Sequence, residues 1–195
     1  MNTSAAIAVW TNKDKNEWAG RIHYLDGTPS GLGASLYQLV RDETLGDLAT
    51  TLRVLIHDHP AGWHMITRAN WRQRPGYQKV DKERHPFDYD FEKRRRPQCY
   101  CHRDRHEEPW ELTQLDAAKA GAEWSYVFDA RRRTMSVLEA VADGRHARRG
   151  LTLTEMLAGQ PRSVQITGCN ADATFLERAV VFLDNPEPDW ETLEG

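Results

Sequence analysis

The chain has 195 residues, 39% of them hydrophobic and 28% charged, with a formal net charge of -3; this is enough apolar material for one sizeable core and too much for a disordered chain. No run of 18 or more apolar residues occurs, which excludes a membrane-spanning helix. Three cysteines, two of them (Cys99 and Cys101) too close for an easy mutual disulfide, argue against a disulfide framework and for a reduced, cytoplasmic setting; with no basic stretch leading into an apolar one at the start, no signal peptide is expected.

In chain order, residues 5–10 (Ala-Ala-Ile-Ala-Val-Trp) predict a short buried strand, 12–16 a polar turn, and 17–25 a second strand with Trp18, Ile22 and Tyr24 on one face. The two form a hairpin. Residues 27–33 hold three glycines and a proline and predict a loop. Leu36, Tyr37, Leu39 and Val40 recur at helical spacing over 34–43. Leu45, Leu48, Leu52, Leu55 and Ile56 do the same over 45–57, with Thr44 as N-cap and Pro60 and Gly62 as terminators.

Residues 67–111 carry no sustained period. Twelve Lys/Arg stand against six Asp/Glu over 68–105, so the segment is expected to be an irregular basic insertion, with short strands near 76–80 and 98–102. A short helix capped by Thr113 is predicted over 113–120 and a strand over 123–129. The turn 129–133, made soluble by Arg131, Arg132 and Arg133, leads into a partner strand over 134–141. A short helix over 153–157 and strands over 164–167 and 179–183 follow. The end, 185–195, has two prolines and several acids and no base, and is expected to be a frayed acidic tail on a single 1–184 domain.

The run Tyr24-Leu25-Asp26-Gly27-Thr28-Pro29-Ser30-Gly31-Leu32-Gly33 resembles a His-Trp-Asp-Gly-Tyr-Pro-x-Gly-x-Gly signature found in small proteins of tailed phages, prophages and actinobacteria. There too it follows a short Ala-Ile-Ala-Val-type strand and precedes a helix. Tyr24, Leu25 and Thr28 replace the usual His, Trp and Tyr. The segments 100–105 and 123–129 also resemble actinobacterial members. The resemblance implies a phage or actinobacterial source and brings no reaction with it.

Two sets of residues carry candidate chemistry. The glycine run lies between a strand and a helix, where free N–H groups favour an anion. It lacks the third spaced glycine of a dinucleotide fingerprint and the Lys-Ser/Thr of a phosphate loop. A tight turn with Asp26 bonded to its own loop backbone is the plainer expectation. The alternative places a small anionic ligand at Tyr24, Asp26, Gly27, Gly31 and Gly33, with Arg94, Arg95 and Arg96 of the basic insertion. The second set is Cys99, Cys101, His102 and His106, which predict a zinc site, structural or catalytic; Cys99, Cys101 and His106 supply three ligands and His57 or His59 a fourth. Cys-x-Cys on a strand puts both sulfurs on one face.

The sequence therefore predicts an α+β fold: an antiparallel sheet of hairpins, a helical pair between Ala34 and His59 packed on one face, and a basic insertion. The expected function is a non-catalytic accessory protein that binds a host protein or a small anionic ligand. A metal-assisted hydrolase or nuclease using the His/Cys/Asp cluster is the alternative, with His57 or His59 as base beside Asp58 and Cys101 as a conceivable nucleophile. A third reading, single-stranded nucleic-acid binding, pairs Arg94–Arg96 with aromatics such as Trp71, Tyr77 and Tyr100.

Overall fold

The computed structural model describes residues 3–14, 17–43, 45–66, 97–102, 111–142, 163–164 and 173–194. The expected strand near 76–80 and helix at 153–157 lie outside these residues. Among the described residues, nine strands make one sheet: β1 (Ser4–Trp10), β2 (Trp18–His23), β3 (Trp63–Met65), β4 (Gln98–Cys99), β5 (Leu112–Thr113), β6 (Ala122–Asp129), β7 (Thr134–Ala142), β8 (Ser163–Val164) and β9 (Ala173–Phe182). Their order across the sheet is β4-β3-β2-β1-β6-β7-β9-β8, with β5 added beside β2. The helices are α1 (Ala34–Arg41), α2 (Leu48–Leu52) and α3 (Gln114–Lys119).

The sheet is mixed, which corrects the expectation of a purely antiparallel one. The hairpins β1–β2 and β6–β7 form as predicted, in registers running from Ala5↔His23 to Trp10↔Trp18 and from Trp124↔Glu139 to Asp129↔Thr134. Two pairings are parallel: β1 with β6 (Ala5↔Trp124 to Val9↔Phe128) and β2 with β3 (His23↔Trp63). The physical reason lies in β1. Ala5 and Ile7 enter one core while Ala6 and Ala8 enter the other, so the strand is covered on both faces and sits in the middle of the sheet. A strand buried on both faces reads as a continuous apolar run and is typical of parallel pairing reached by a helical crossover.

One face of the sheet carries the helical pair. Leu36, Tyr37, Leu39 and Val40 of α1 and Leu48 and Leu52 of α2 pack with Ile7, Tyr126, Phe128 and Val137. Each helix is extended by a π-helical turn: Pro29–Gly33 leads into α1 and Arg53–His57 follows α2. The N-cap of α2 is Asp47, whose Oδ1 accepts from Thr50 N at 2.8 Å; the cap expected at Thr44 falls on a residue outside the described set. The opposite face is covered by α3, where Ala117 joins Trp18, Ile22, Val127, Leu138 and Phe175. Thr113 does cap α3: its Oγ1 accepts from Asp116 N at 3.4 Å, and Asp116 Oδ2 accepts in return from Thr113 N at 3.3 Å, the reciprocal pair of a capping box.

The C-terminal segment is docked rather than frayed, a second correction. Trp190 and Leu193 are buried, and the Trp190 ring meets Tyr37 edge-on at 5.9 Å. Tyr37 Oη and Arg41 Nη1 both donate to the Asn185 carbonyl. Trp190 Nε1 donates to Glu187 Oε1 at 2.8 Å. Two apolar side chains three residues apart hold the segment across α1 in spite of its prolines and acids.

Candidate metal centre

The β3–β4 edge of the sheet carries the strongest chemical cluster. The chain reaches it through the π-helical turn Arg53–His57, whose last carbonyls are gripped by the sheet: Trp63 Nε1 donates to Leu55 O at 2.8 Å and Arg21 Nε to Ile56 O at 2.8 Å. A tight reversal follows. Gly62 N donates to His59 O at 3.0 Å, and Gly62 adopts φ +82°, where a Cβ would also lie 2.7 Å from Ile22 O. Only glycine fits that approach. The reversal points His59 inward, where its ring lies 4.7 Å from that of Trp63; His57, two residues earlier, is exposed.

Cys99 sits at the end of β4, opposite Trp63 in the register, and Cys101 in the 3-10 turn Tyr100–His102 that follows. Tyr100 N donates to Gly62 O at 3.1 Å, and Ala61 N to Cys101 Sγ at 3.2 Å. These contacts lock the turn onto the reversal. As a result one ligand atom each from His59, Cys99 and Cys101 lies within 4.8 Å of the others; His59 and Cys99 are buried and Cys101 is half-buried. Two sulfurs and one imidazole are the donors zinc prefers, and tetrahedral zinc at about 2.3 Å from sulfur needs donors roughly 3.8 Å apart. The Ala61 N–H is the kind of outer-shell donor that steadies a ligating thiolate.

Of the sequence-predicted ligands, the structure brings together Cys99, Cys101 and, from the His57/His59 alternatives, His59. The side chain of His102 and all of His106 lie outside the described residues. Sequence reasoning missed Arg21, a buried guanidinium beneath this edge. Its signal was a lone charge on the inner face of an apolar strand. Burial lowers the Arg21 pKa, and the charges of Glu111 and Cys101 pull it back up.

On the other face of the same edge, His64 Nδ1 and Tyr100 Oη are hydrogen-bonded at 3.0 Å, and Tyr24 meets Tyr100 edge-on at 5.4 Å. His23, which pairs with Ala5 and Trp63 in the register and so lies on their face of the sheet, is fully buried. Ile66 N donates to its Nε2 at 3.0 Å, so the neutral ring carries its proton on Nδ1. Burial, aided by His64, pushes the His23 pKa down to about 3.

The glycine loop is a separate place, built around its own chain. Asp26 takes φ +56°, and a Cβ on Gly31 would lie 2.3 Å from the Asp26 carboxylate. Gly27 N donates to Thr3 O at 2.9 Å, Gly31 N to Thr28 Oγ1 at 3.2 Å and Gly33 N to Thr28 O at 3.2 Å. Ser30 N donates to Glu194 Oε1 at 2.6 Å, so a carboxylate from the C-terminal segment lies at the loop. Buried Tyr126 donates to Gly27 O at 2.8 Å; its pKa is raised by burial, then by Glu194 and Asp26. Of the expected ligand residues, Asp26, Gly27, Gly31 and Gly33 share this loop, Tyr24 stands at the metal-centre edge, and Arg94, Arg95 and Arg96 lie outside the described residues.

In comparisons with protein-family models, curated proteins and solved structures, nothing matched the chain. Among the described residues, no helix is long and apolar enough to cross a membrane.

Proposed function

We propose that this chain is a non-catalytic binding protein in which a zinc ion on His59, Cys99 and Cys101 clasps the base of the basic insertion. The convergence of those three donors is the observation that carries the reading. Met65 and Gln98, which stand near either end of the insertion in sequence, are partners in the β3–β4 register. An ion across Cys99, Cys101 and His59 would staple that base to the reversal after α2. The sequence between Met65 and Gln98 holds Arg94, Arg95 and Arg96, which suit a small anionic ligand or an acidic patch on a host protein, the accessory role expected from the sequence.

The test is the metal content of untagged protein. About one zinc per chain is expected, with its loss in His59→Ala and Cys101→Ala and a fall in Tm on chelation. Protein that folds identically with and without chelator and carries no zinc sinks the proposal. A second reading, a metal-assisted hydrolase or nuclease, draws on Cys101 being only half-buried, since a catalytic ion held by three protein donors would need an open fourth position. Turnover of a phosphodiester substrate that is lost with the metal would move that reading ahead.

A further inference from the structure

We infer that the clasp is a thiol switch: a peroxide joins Cys99 and Cys101 in a disulfide and expels the ion. The inference rests on the zinc reading above. Its basis is the arrangement of the two sulfurs. Cys101 is half-buried, Cys99 is buried, and the two sulfurs lie within 4.8 Å of each other. Residues two apart on an extended strand stand about 6.6 Å apart along it. That separation lies within the span a disulfide bridges; the Cys-x-Cys ring is tight, but Cys101 leaves the strand for the 3-10 turn Tyr100–His102 and the two sulfurs already converge to within 4.8 Å.

The chemistry balances with hydrogen peroxide as the two-electron oxidant. The Cys101 thiolate attacks one peroxide oxygen; the O–O bond breaks and, with one proton, the first water leaves. Cys101 is then a sulfenic acid. The Cys99 thiolate attacks the Cys101 sulfur; the S–S bond forms, the S–O bond breaks and, with a second proton, a second water leaves. The sulfurs together lose two electrons and the peroxide gains them. A disulfide carries no thiolate charge, so only His59 of the three donors remains and the zinc departs.

The experiment uses zinc-loaded full-length protein with Cys169→Ser, which leaves Cys99 and Cys101 as the only thiols. Peroxide is titrated in while a chromophoric chelator reports free zinc and alkylation counts thiols. The expected result is one zinc released as both thiols disappear, a Cys99–Cys101 disulfide on peptide mapping, and recovery of both thiols and the zinc on adding dithiothreitol and zinc. Zinc retained while peroxide is consumed overturns the switch and leaves the clasp standing. So does release accompanied by sulfinic acid at Cys101 with Cys99 still alkylatable. Protein isolated without zinc, and unable to take it up, overturns clasp and switch together.

Discussion

His23 is held neutral by its surroundings: its Nε2 accepts from Ile66 N, burial disfavours a charge, and its pKa in the fold is about 3. In the unfolded chain the ordinary value is 6.5. Between those two values the unfolded chain binds a proton that the folded one does not. The neutral ring's contribution is therefore complete above pH 6.5 and declines as pH falls toward 3, by up to about 1.4 kcal/mol per unit. Urea denaturation at pH 7.5 and pH 5 should show a larger loss at pH 5 for wild type than for His23→Gln, whose amide oxygen keeps the Ile66 bond without titrating. Equal losses would mean that His23 is not held neutral. The same scale shows what single residues revealed beforehand. The donors Cys99 and Cys101 were legible as a pair. Choosing His59 over His57 was not, because the choice depends on the reversal at Gly62 and not on either imidazole.

Helix periodicity made α1 and α2 legible, since a stripe of leucines must find a sheet face. The π-helical turns at their ends were not, because hydrogen bonds from Trp63 and Arg21, distant in sequence, grip the second of them. The C-terminal segment misled for the opposite reason: its prolines and acids outweigh Trp190 and Leu193 in any compositional reading. Two variants test its docking. Trp190→Ala removes a buried indole from Tyr37 and should cost about 3 kcal/mol or more in denaturant unfolding. Gly33→Ala places a Cβ 2.9 Å from Tyr126 Cε1 and 3.2 Å from Trp190, and should cost about 1–3 kcal/mol. Wild-type midpoints in both would show that the segment does not rest on α1.

Across the whole molecule, the hairpins were readable because a strand, a turn and a strand are local. The parallel β1–β6 pairing was not, because its two halves are separated by both helices and the basic insertion. The one clue was the lack of alternation in β1, where Ala6 and Ala8 are as buried as Ala5 and Ile7. The small size of these alanines matters to both layers. Ala6→Leu should therefore destabilise by roughly 1–3 kcal/mol or more by calorimetry or denaturation, whereas a one-sided strand would accept the larger residue on its open face. The position of β1 also has a consequence for synthesis. Ile7 is made roughly 120 residues before its neighbour Tyr126, on the order of ten seconds earlier at ribosomal speed. Until then the nascent hairpin shows an unfilled apolar edge to solvent, so ribosome-bound chains stalled before β6 should be the ones that chaperones hold.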